Sequence, residues 1–135
     1  MQIPIMRGKV YLMGAGPGDP DLLPAEAVSL LRAAEVVLHD EAVSPEVLEL
    51  VPASAQVRNV DRLIESEVVS RDKVLSLLIS AAREGHQVVR LMATDPTQSA
   101  LASELTEPLA QAGIAFEVVS GTPVAVGAAA GANSR

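Results

Sequence analysis

An apolar run that stops at three closely spaced glycines constrains this chain more than any other stretch. Residues Lys9–Pro20 read Lys-Val-Tyr-Leu-Met-Gly-Ala-Gly-Pro-Gly-Asp-Pro. Val10–Met13 suit a strand buried on both faces, whereas Gly14, Gly16 and Gly18 allow a tight turn and the close approach of a ligand to bare backbone. The prolines and the aspartate suit a helix start. The pattern predicts a strand, a glycine-rich turn and a helix, with the turn where open α/β sheets bind ligands.

The composition narrows the class of protein. With 135 residues, the chain is long enough for one domain with a proper core. It has no cysteine, which excludes a disulfide framework and cysteine-ligated metals, and which predicts a cytoplasmic location. Ten basic and seventeen acidic residues give a formal charge of −7, which argues against nucleic acid or an anionic membrane as a partner. The apolar runs are shorter than the roughly 20 residues of a membrane span.

Short β-rich runs alternate along the chain with amphipathic helical patterns, after a loose leader at residues 1–7. The predicted strands are Val10–Met13, Val36–Leu38, Gln56–Val60, Gln87–Met92 and Ile114–Val119. The predicted helices are Asp21–Ala34, Ser44 to Pro52, Ser70 to Gly85, Ser99–Ala112 and a short alanine-rich helix after Gly121. Asp61–Val69 is expected to be a polar loop, and Pro108 to kink or divide its helix. The order predicts an α/β fold with an open, mainly parallel five-stranded sheet flanked by helices.

The glycine turn has several competing interpretations. A dinucleotide site needs an acidic residue at the end of the second strand, and Asp40 stands there. However, Asp19 occupies the third glycine position of that pattern, where its carboxylate would repel a pyrophosphate. No Gly-Lys-Ser/Thr follows, so a Walker loop is excluded. A tight turn with no ligand remains open.

The two histidines give little support to other chemistry. His39 precedes Asp40, but adjacent strand residues point to opposite faces, which disfavours a proton-transfer pair. His86 follows Gly85 in a turn, which predicts a solvent-facing side chain. Their separation predicts no metal site.

The chain resembles the tetrapyrrole methylases, specifically the uroporphyrinogen-III C-methyltransferases. The family's opening signature matches residues 8–23, which read Gly-Lys-Val-Tyr-Leu-Met-Gly-Ala-Gly-Pro-Gly-Asp-Pro-Asp-Leu-Leu. Further matching segments are Val36–Asp40, Val43–Leu48, Val88–Leu91 and Ala112–Val119. The resemblance covers nearly the whole chain.

This resemblance implies methyl transfer from S-adenosylmethionine to a ring carbon of a tetrapyrrole, in a cleft between two α/β domains. By this resemblance, residues 8–135 are expected to form the first of these as a single domain, and the C-terminal domain is expected to be absent. The resemblance assigns cofactor binding to Gly14, Gly16, Pro17, Gly18, Asp95 and Pro96. No catalytic residue is assigned, and the candidates are Asp40 and Glu104.

Several positions depart from the family pattern. Ala93–Thr94 replace two glycines that line the cofactor, and Leu101 replaces an arginine expected to meet substrate carboxylates or assist proton transfer. In this chain Asp61–Leu63 replace the family's Gly-Lys-Arg, Glu41 replaces an arginine, and Pro123 replaces a threonine. The added acidic residues are expected to receive an anionic tetrapyrrole poorly.

Two functional hypotheses follow. In the first, the chain contributes the cofactor wall of a methyltransferase and is inactive without the missing C-terminal domain. In the second, it is a non-catalytic remnant that serves as a binding or oligomerisation module. Apolar residues make up 49% of the chain. Two explanations are open: an apolar surface that binds a partner, such as a second copy, or a core rich in alanine, valine and leucine.

Overall fold

The computed structural model describes residues 8–15, 21, 23–65, 71–93 and 100–119. Within these ranges the strands are β1 (Lys9–Gly14), β2 (Val36–His39), β3 (Gln56–Asn59), β4 (Gln87–Met92) and β5 (Ala115–Val119). The helices are α1 (Ala25–Ala33), α2 (Pro45–Leu48), α3 (Val60–Glu65), α4 (Arg71–Arg83) and α5 (Ala100–Gln111). The predicted leader and the predicted alanine-rich helix lie outside the described residues.

The strands form one sheet in the order β3-β2-β4-β1-β5, and every pair of neighbours is parallel. Val88 of β4 aligns with Val10 of β1 on one side and with Val36 of β2 on the other. The predicted parallel α/β sheet is therefore confirmed. Its order places the carboxyl ends of β1, β4 and β2 side by side.

Each face of the sheet carries its own apolar core. The first core joins alternate strand residues to α1 and α2, and contains Met13, Ala27, Leu31, Val37, Val47, Val89 and Leu91. The second joins the other strand residues to α3, α4 and α5, and contains Val10, Leu12, Leu38, Val74, Leu78, Val88, Met92 and Leu109. Helices on both faces are required because the strands of a parallel sheet are apolar on both sides.

Capping and glycine signals fix several helix ends. The Ser44 hydroxyl accepts a hydrogen bond from the Val47 amide at 3.3 Å, as expected for an N-cap. Gly85 ends α4 in the left-handed region with φ of 95°, which confirms the predicted glycine stop. The first helix begins at Ala25 instead of Asp21, because Pro24 is extended, with ψ of 151°.

The prediction of a polar loop from Asp61 to Val69 is wrong over its first part, which is helix α3. The amide of Arg62 donates to Oδ1 of Asn59 at 3.1 Å, an N-cap contact that starts the helix. Val60 is buried and Ile64, one turn later, packs against the same core. Two apolar residues four apart are enough to fix this turn because the core is already formed beneath them.

Pro108 lies inside α5, which is nevertheless one helix through Gln111. The predicted division does not occur. Proline leaves the carbonyl of residue 104 without its usual donor, but Glu104 is exposed, so water can satisfy that oxygen. Among the described residues, no helix has the length and apolar character needed to cross a membrane.

Candidate functional site

The carboxyl ends of β1 and β4 are joined by backbone bonds. Gly14 aligns with Met92 in the sheet register, and the amide of Ala15 donates to the Met92 carbonyl at 2.7 Å. Gly14 therefore brings backbone without a side chain to this edge. The other predicted loop residues, Gly16, Pro17 and Gly18, lie outside the described part of the chain.

Asp40 follows β2 at the same edge and accepts hydrogen bonds through both carboxylate oxygens. Oδ1 accepts from Nη2 of Arg90 at 2.9 Å, and Oδ2 accepts from the backbone amide of Ala93 at 3.0 Å. The Asp40 amide donates to the Leu91 carbonyl at 3.0 Å. The candidate catalytic aspartate is thus bound to the end of β4 through three contacts.

Arg90 is a buried cation at this edge that was not among the predicted site residues. Its Nη1 donates to the carbonyl oxygens of Leu91, at 3.1 Å, and Leu38, at 3.4 Å. The signal was available, because a charge inside the apolar strand Gln87–Met92 must have a buried partner. Asp40, one residue past the neighbouring strand, is that partner.

His39 does not form a proton-transfer pair with the Asp40 carboxylate. Its Nδ1 lies 2.8 Å from the backbone oxygen of Asp40, a contact that requires the proton on Nδ1 because a carbonyl oxygen only accepts. The buried ring thereby supports the turn after β2.

Charged side chains surround the ends of β2 and β3. Oδ2 of Asp61 accepts from the Glu41 amide at 2.7 Å, and Oε1 of Glu41 lies 3.4 Å from Nε of Arg62. Asn59 Nδ2 lies 3.5 Å from the same Glu41 oxygen. Glu41, Asp61 and Arg62 thus form an exposed rim, in which Arg62 partly neutralises the two added acidic residues.

The remaining predicted site residues are not brought into this group. Glu104 is exposed on α5, a helix that packs on the β5 side through Leu105 and Leu109. Asp95 and Pro96 lie outside the described residues. The assignments of Glu104, Asp95 and Pro96 stay predictions.

A cavity of about 690 Å³ lies elsewhere, beside α4 near the amino ends of β2 and β3. Its walls include Val36, Leu77 and the partly exposed His86. The His86 ring lies 3.6 Å from a Glu35 oxygen and 3.7 Å from a Glu84 oxygen. Within the described ranges, no three histidine, aspartate or glutamate side chains are grouped to hold a metal ion.

A parallel α/β domain with a glycine at a strand end and an ordered polar group at its carboxyl edge belongs to the open-sheet class, in which ligands generally bind outside the carboxyl ends of the strands. Residues 9–134 match the family model of the Tetrapyrrole (Corrin/Porphyrin) Methylases. The chain belongs to this family.

Two siroheme synthases are similar to this chain over most of its length. The chain is 43% identical over 123 residues to a siroheme synthase of Hahella chejuensis and 46% identical over 123 residues to that of Chromobacterium violaceum. Each alignment covers 91% of this chain and 26% of the relative. The chain therefore spans about a quarter of the length of these curated relatives.

Solved structures agree with the fold. A uroporphyrin-III C-methyltransferase of Thermus thermophilus aligns with a TM-score of 0.73 and 43% identity, covering 90% of this chain and 51% of that one. A Thermus thermophilus uroporphyrin-III C-methyltransferase complexed with S-adenyl homocysteine aligns with a TM-score of 0.69 and 37% identity, over 85% of this chain and 45% of that one.

Proposed function

We propose that this chain forms the cofactor wall of an S-adenosylmethionine-dependent C-methyltransferase that acts on a tetrapyrrole of the uroporphyrinogen-III type. The observation that carries the proposal is the edge where β1 ends at Gly14 beside the end of β4, joined by the 2.7 Å bond between Ala15 and Met92. The relative complexed with S-adenyl homocysteine supports this ligand class.

The residues at this edge fit a bound nucleoside on the β1 side. Gly14 presents no side chain, so a flat ligand can approach the backbone there. Gly16, Pro17 and Gly18 would continue this wall, and Asp95 and Pro96 would line it after β4. The cofactor supplies the activated methyl group, and the chain's residues supply binding and orientation.

Turnover needs a second wall. Positioning of two reactants accounts for much of an enzyme's rate enhancement, and one side of a cleft cannot orient both. We therefore expect residues 8–135, as one domain, to bind cofactor but to lack turnover unless a second domain or a partner completes the cleft. The Asp40 carboxylate is already engaged, and Glu104 remains a candidate for substrate contact.

The alternative, a non-catalytic binding or oligomerisation module, is favoured by one position. Ala93 brings a methyl group to the edge where the family resemblance implies bare glycine. The proposed setting in both cases is the cytoplasm, with a homo-oligomer or a second domain as partner. Sedimentation at high protein concentration tests the proposed homo-oligomer, because a strictly monomeric chain would contradict self-association.

Calorimetric titration with S-adenosylmethionine and with S-adenosylhomocysteine tests the proposed function. We expect one ligand to bind per chain. At a free ligand concentration of 100 times Kd, the unfolding free energy should rise by about 2.7 kcal/mol. Gly14→Ala should weaken binding because it adds a methyl group to the wall. Gly113→Ala, a glycine-to-alanine change between α5 and β5, should leave the affinity unchanged. If the wild-type chain binds neither ligand, the cofactor role is contradicted, and the non-catalytic binding or oligomerisation module becomes the favoured function.

A further inference from the structure

We propose that the cavity at the amino ends of β2 and β3 is a binding site for a small zwitterion with an apolar body, which carries an ammonium group at one end and a carboxylate at the other. The cavity lies at the opposite end of the sheet from the edge assigned to the cofactor, so this inference does not rest on the proposed function. Its volume of about 690 Å³ lies within the range of small-molecule sites.

The cavity follows from the order of the strands. The connection from β3 to β4 passes over β2, because β2 lies between them in the sheet. Of the two helices in this connection, α3 contacts β2 and β3, whereas α4 contacts β4 and β1. The first of them has only 6 residues and begins directly at the carboxyl end of β3. The sheet beside α4 is therefore left open toward the amino ends of β2 and β3.

The middle of the cavity is apolar. On its floor, Val36 and Leu38 of β2 align with Gln56 and Arg58 of β3, so these four side chains share one face of the sheet. The wall on α4 is formed by residues spaced three and four apart, which lie on one side of a helix. They are Leu77, Ser80, Ala81 and Glu84. Leu77 is one of the exposed large apolar residues, and a ligand with an apolar body would remove it from water.

The amino end of the cavity favours a cation. Nδ1 of His86 lies 3.6 Å from a Glu35 oxygen, and Nε2 lies 3.7 Å from a Glu84 oxygen. Both distances exceed the roughly 2.7–3.2 Å of an N–H···O hydrogen bond, so the carboxylates retain capacity to accept. Glu35 is held in place by the Gln87 amide, which donates to it at 2.8 Å. An ammonium group has three donors and can bind both carboxylates.

Arg58 supplies the opposite charge. It aligns with Leu38, which lies three residues beyond Glu35, and a strand rises about 3.3 Å per residue. The two charged ends of the cavity are therefore roughly 10 Å apart along the sheet. Within the part of the chain that the structure describes, no hydrogen bond or ion pair holds the Arg58 guanidinium. A guanidinium binds a carboxylate through two parallel hydrogen bonds, so a ligand with both charges matches the cavity better than one with a single charge.

The test is a titration with 8-aminooctanoate, followed by the amide chemical shifts of the protein. Octylamine and octanoate are the matched probes, because each keeps the apolar body and one of the two charges. We expect saturable binding of 8-aminooctanoate with a Kd on the order of 1 mM, and the largest shifts at the amides of Gln56, Ser80 and His86. Each single-charge probe should bind about fivefold more weakly.

Two variants separate the ends of the cavity. Arg58→Gln should weaken 8-aminooctanoate binding about fivefold and leave octylamine unchanged, whereas Glu84→Gln should weaken both amines and leave octanoate unchanged. Arg32→Gln and Glu49→Gln make the same changes of charge near α1 and α2, on the other face of the sheet, and should alter none of the three affinities. All four side chains are exposed, so each variant is expected to fold.

Equal affinities for the three probes, or wild-type affinities in both Arg58→Gln and Glu84→Gln, would overturn the assignment of a zwitterion. Shifts centred on Gly14 and Ala15, or displacement of 8-aminooctanoate by S-adenosylhomocysteine, would also overturn it, because the probe would then occupy the carboxyl edge. Absence of saturable binding at about ten times the expected Kd would contradict the site itself, whether or not the chain binds S-adenosylhomocysteine.

Discussion

The ion pair between Arg90 and Asp40 is unequally buried, and this inequality predicts which partner is more costly to remove. The Arg90 side chain is 8% exposed, whereas that of Asp40 is 24% exposed. Asp40→Ala leaves a nearly buried guanidinium that still donates to the Leu91 and Leu38 carbonyls. Removing one partner of a buried ion pair costs about 3–5 kcal/mol of unfolding free energy. Because the two carbonyls still accept hydrogen bonds from the guanidinium, we expect Asp40→Ala to lie at the lower end, at about 3 kcal/mol.

Arg90→Met should cost less. It removes the charge from the more buried side, leaves the carboxylate in partial contact with water, and places a flexible apolar chain beside Leu38. We expect a loss of about 1–2 kcal/mol in unfolding free energy. The double variant Asp40→Ala/Arg90→Met should resemble Arg90→Met alone, which corresponds to a coupling of about 3 kcal/mol between the two positions.

Urea-induced unfolding followed by far-UV circular dichroism gives the four free energies, provided that the slope against urea is unchanged. Glu117→Gln is the control, because its ion pair with Lys9 is partly exposed and should contribute at most about 1 kcal/mol. An Arg90→Met protein less stable than Asp40→Ala, or additive losses in the double variant, would refute the assignment of the buried charge as the dominant cost.

Three further predictions concern the scaffold. Leu78→Ala should lower the unfolding free energy by about 2–5 kcal/mol because Leu78 is 0% exposed, whereas Leu77→Ala, at a position 37% exposed, should cost much less, as urea unfolding will show. Gly113→Ala should cost about 1 kcal/mol, because φ of 75° strains any side chain although no atom lies within 4 Å. A hydrogen bond from Lys9 to Glu117 raises the pKa of Lys9 above its ordinary 10.5, so this stabilisation is present at neutral pH and is lost as the pH rises through the raised pKa. In melting curves above about pH 10.5, wild type should therefore lose more stability than Glu117→Gln.

Much of the fold follows from local signals in the sequence. The strands other than β3 are largely apolar, Ser44 caps its helix with its hydroxyl, and glycines at positions 85 and 113 end α4 and α5 in the left-handed region. These features act over a few residues, so periodicity and cap chemistry are sufficient to find them. The α3 turn was missed because its cap, Asn59, precedes a largely polar segment with a single apolar repeat.

The contacts of the site depend on the strand order, which local patterns do not determine. Asp40 and Arg90 are 50 residues apart and meet only because β2 and β4 are neighbours in the sheet. The burial requirement of a strand arginine predicts that a partner exists, but the choice among the carboxylates of the chain requires the sheet order. The glycine pattern was recognisable because it lies in consecutive residues of the sequence.

The carboxyl edge combines a buried ordered group with an exposed acidic rim, and the two parts favour different ligands. Glu41, Asp61 and Arg62 contact one another on the rim and carry a net formal charge of −1, where the family resemblance implies several basic residues. Exposed pairs of this kind add little stability, so their consequence is electrostatic. Under the proposed function, a negative rim should favour the positive sulfonium of S-adenosylmethionine and repel a polycarboxylate tetrapyrrole. We therefore expect that the proposed second wall supplies most of the substrate recognition, whereas this chain binds the methyl donor.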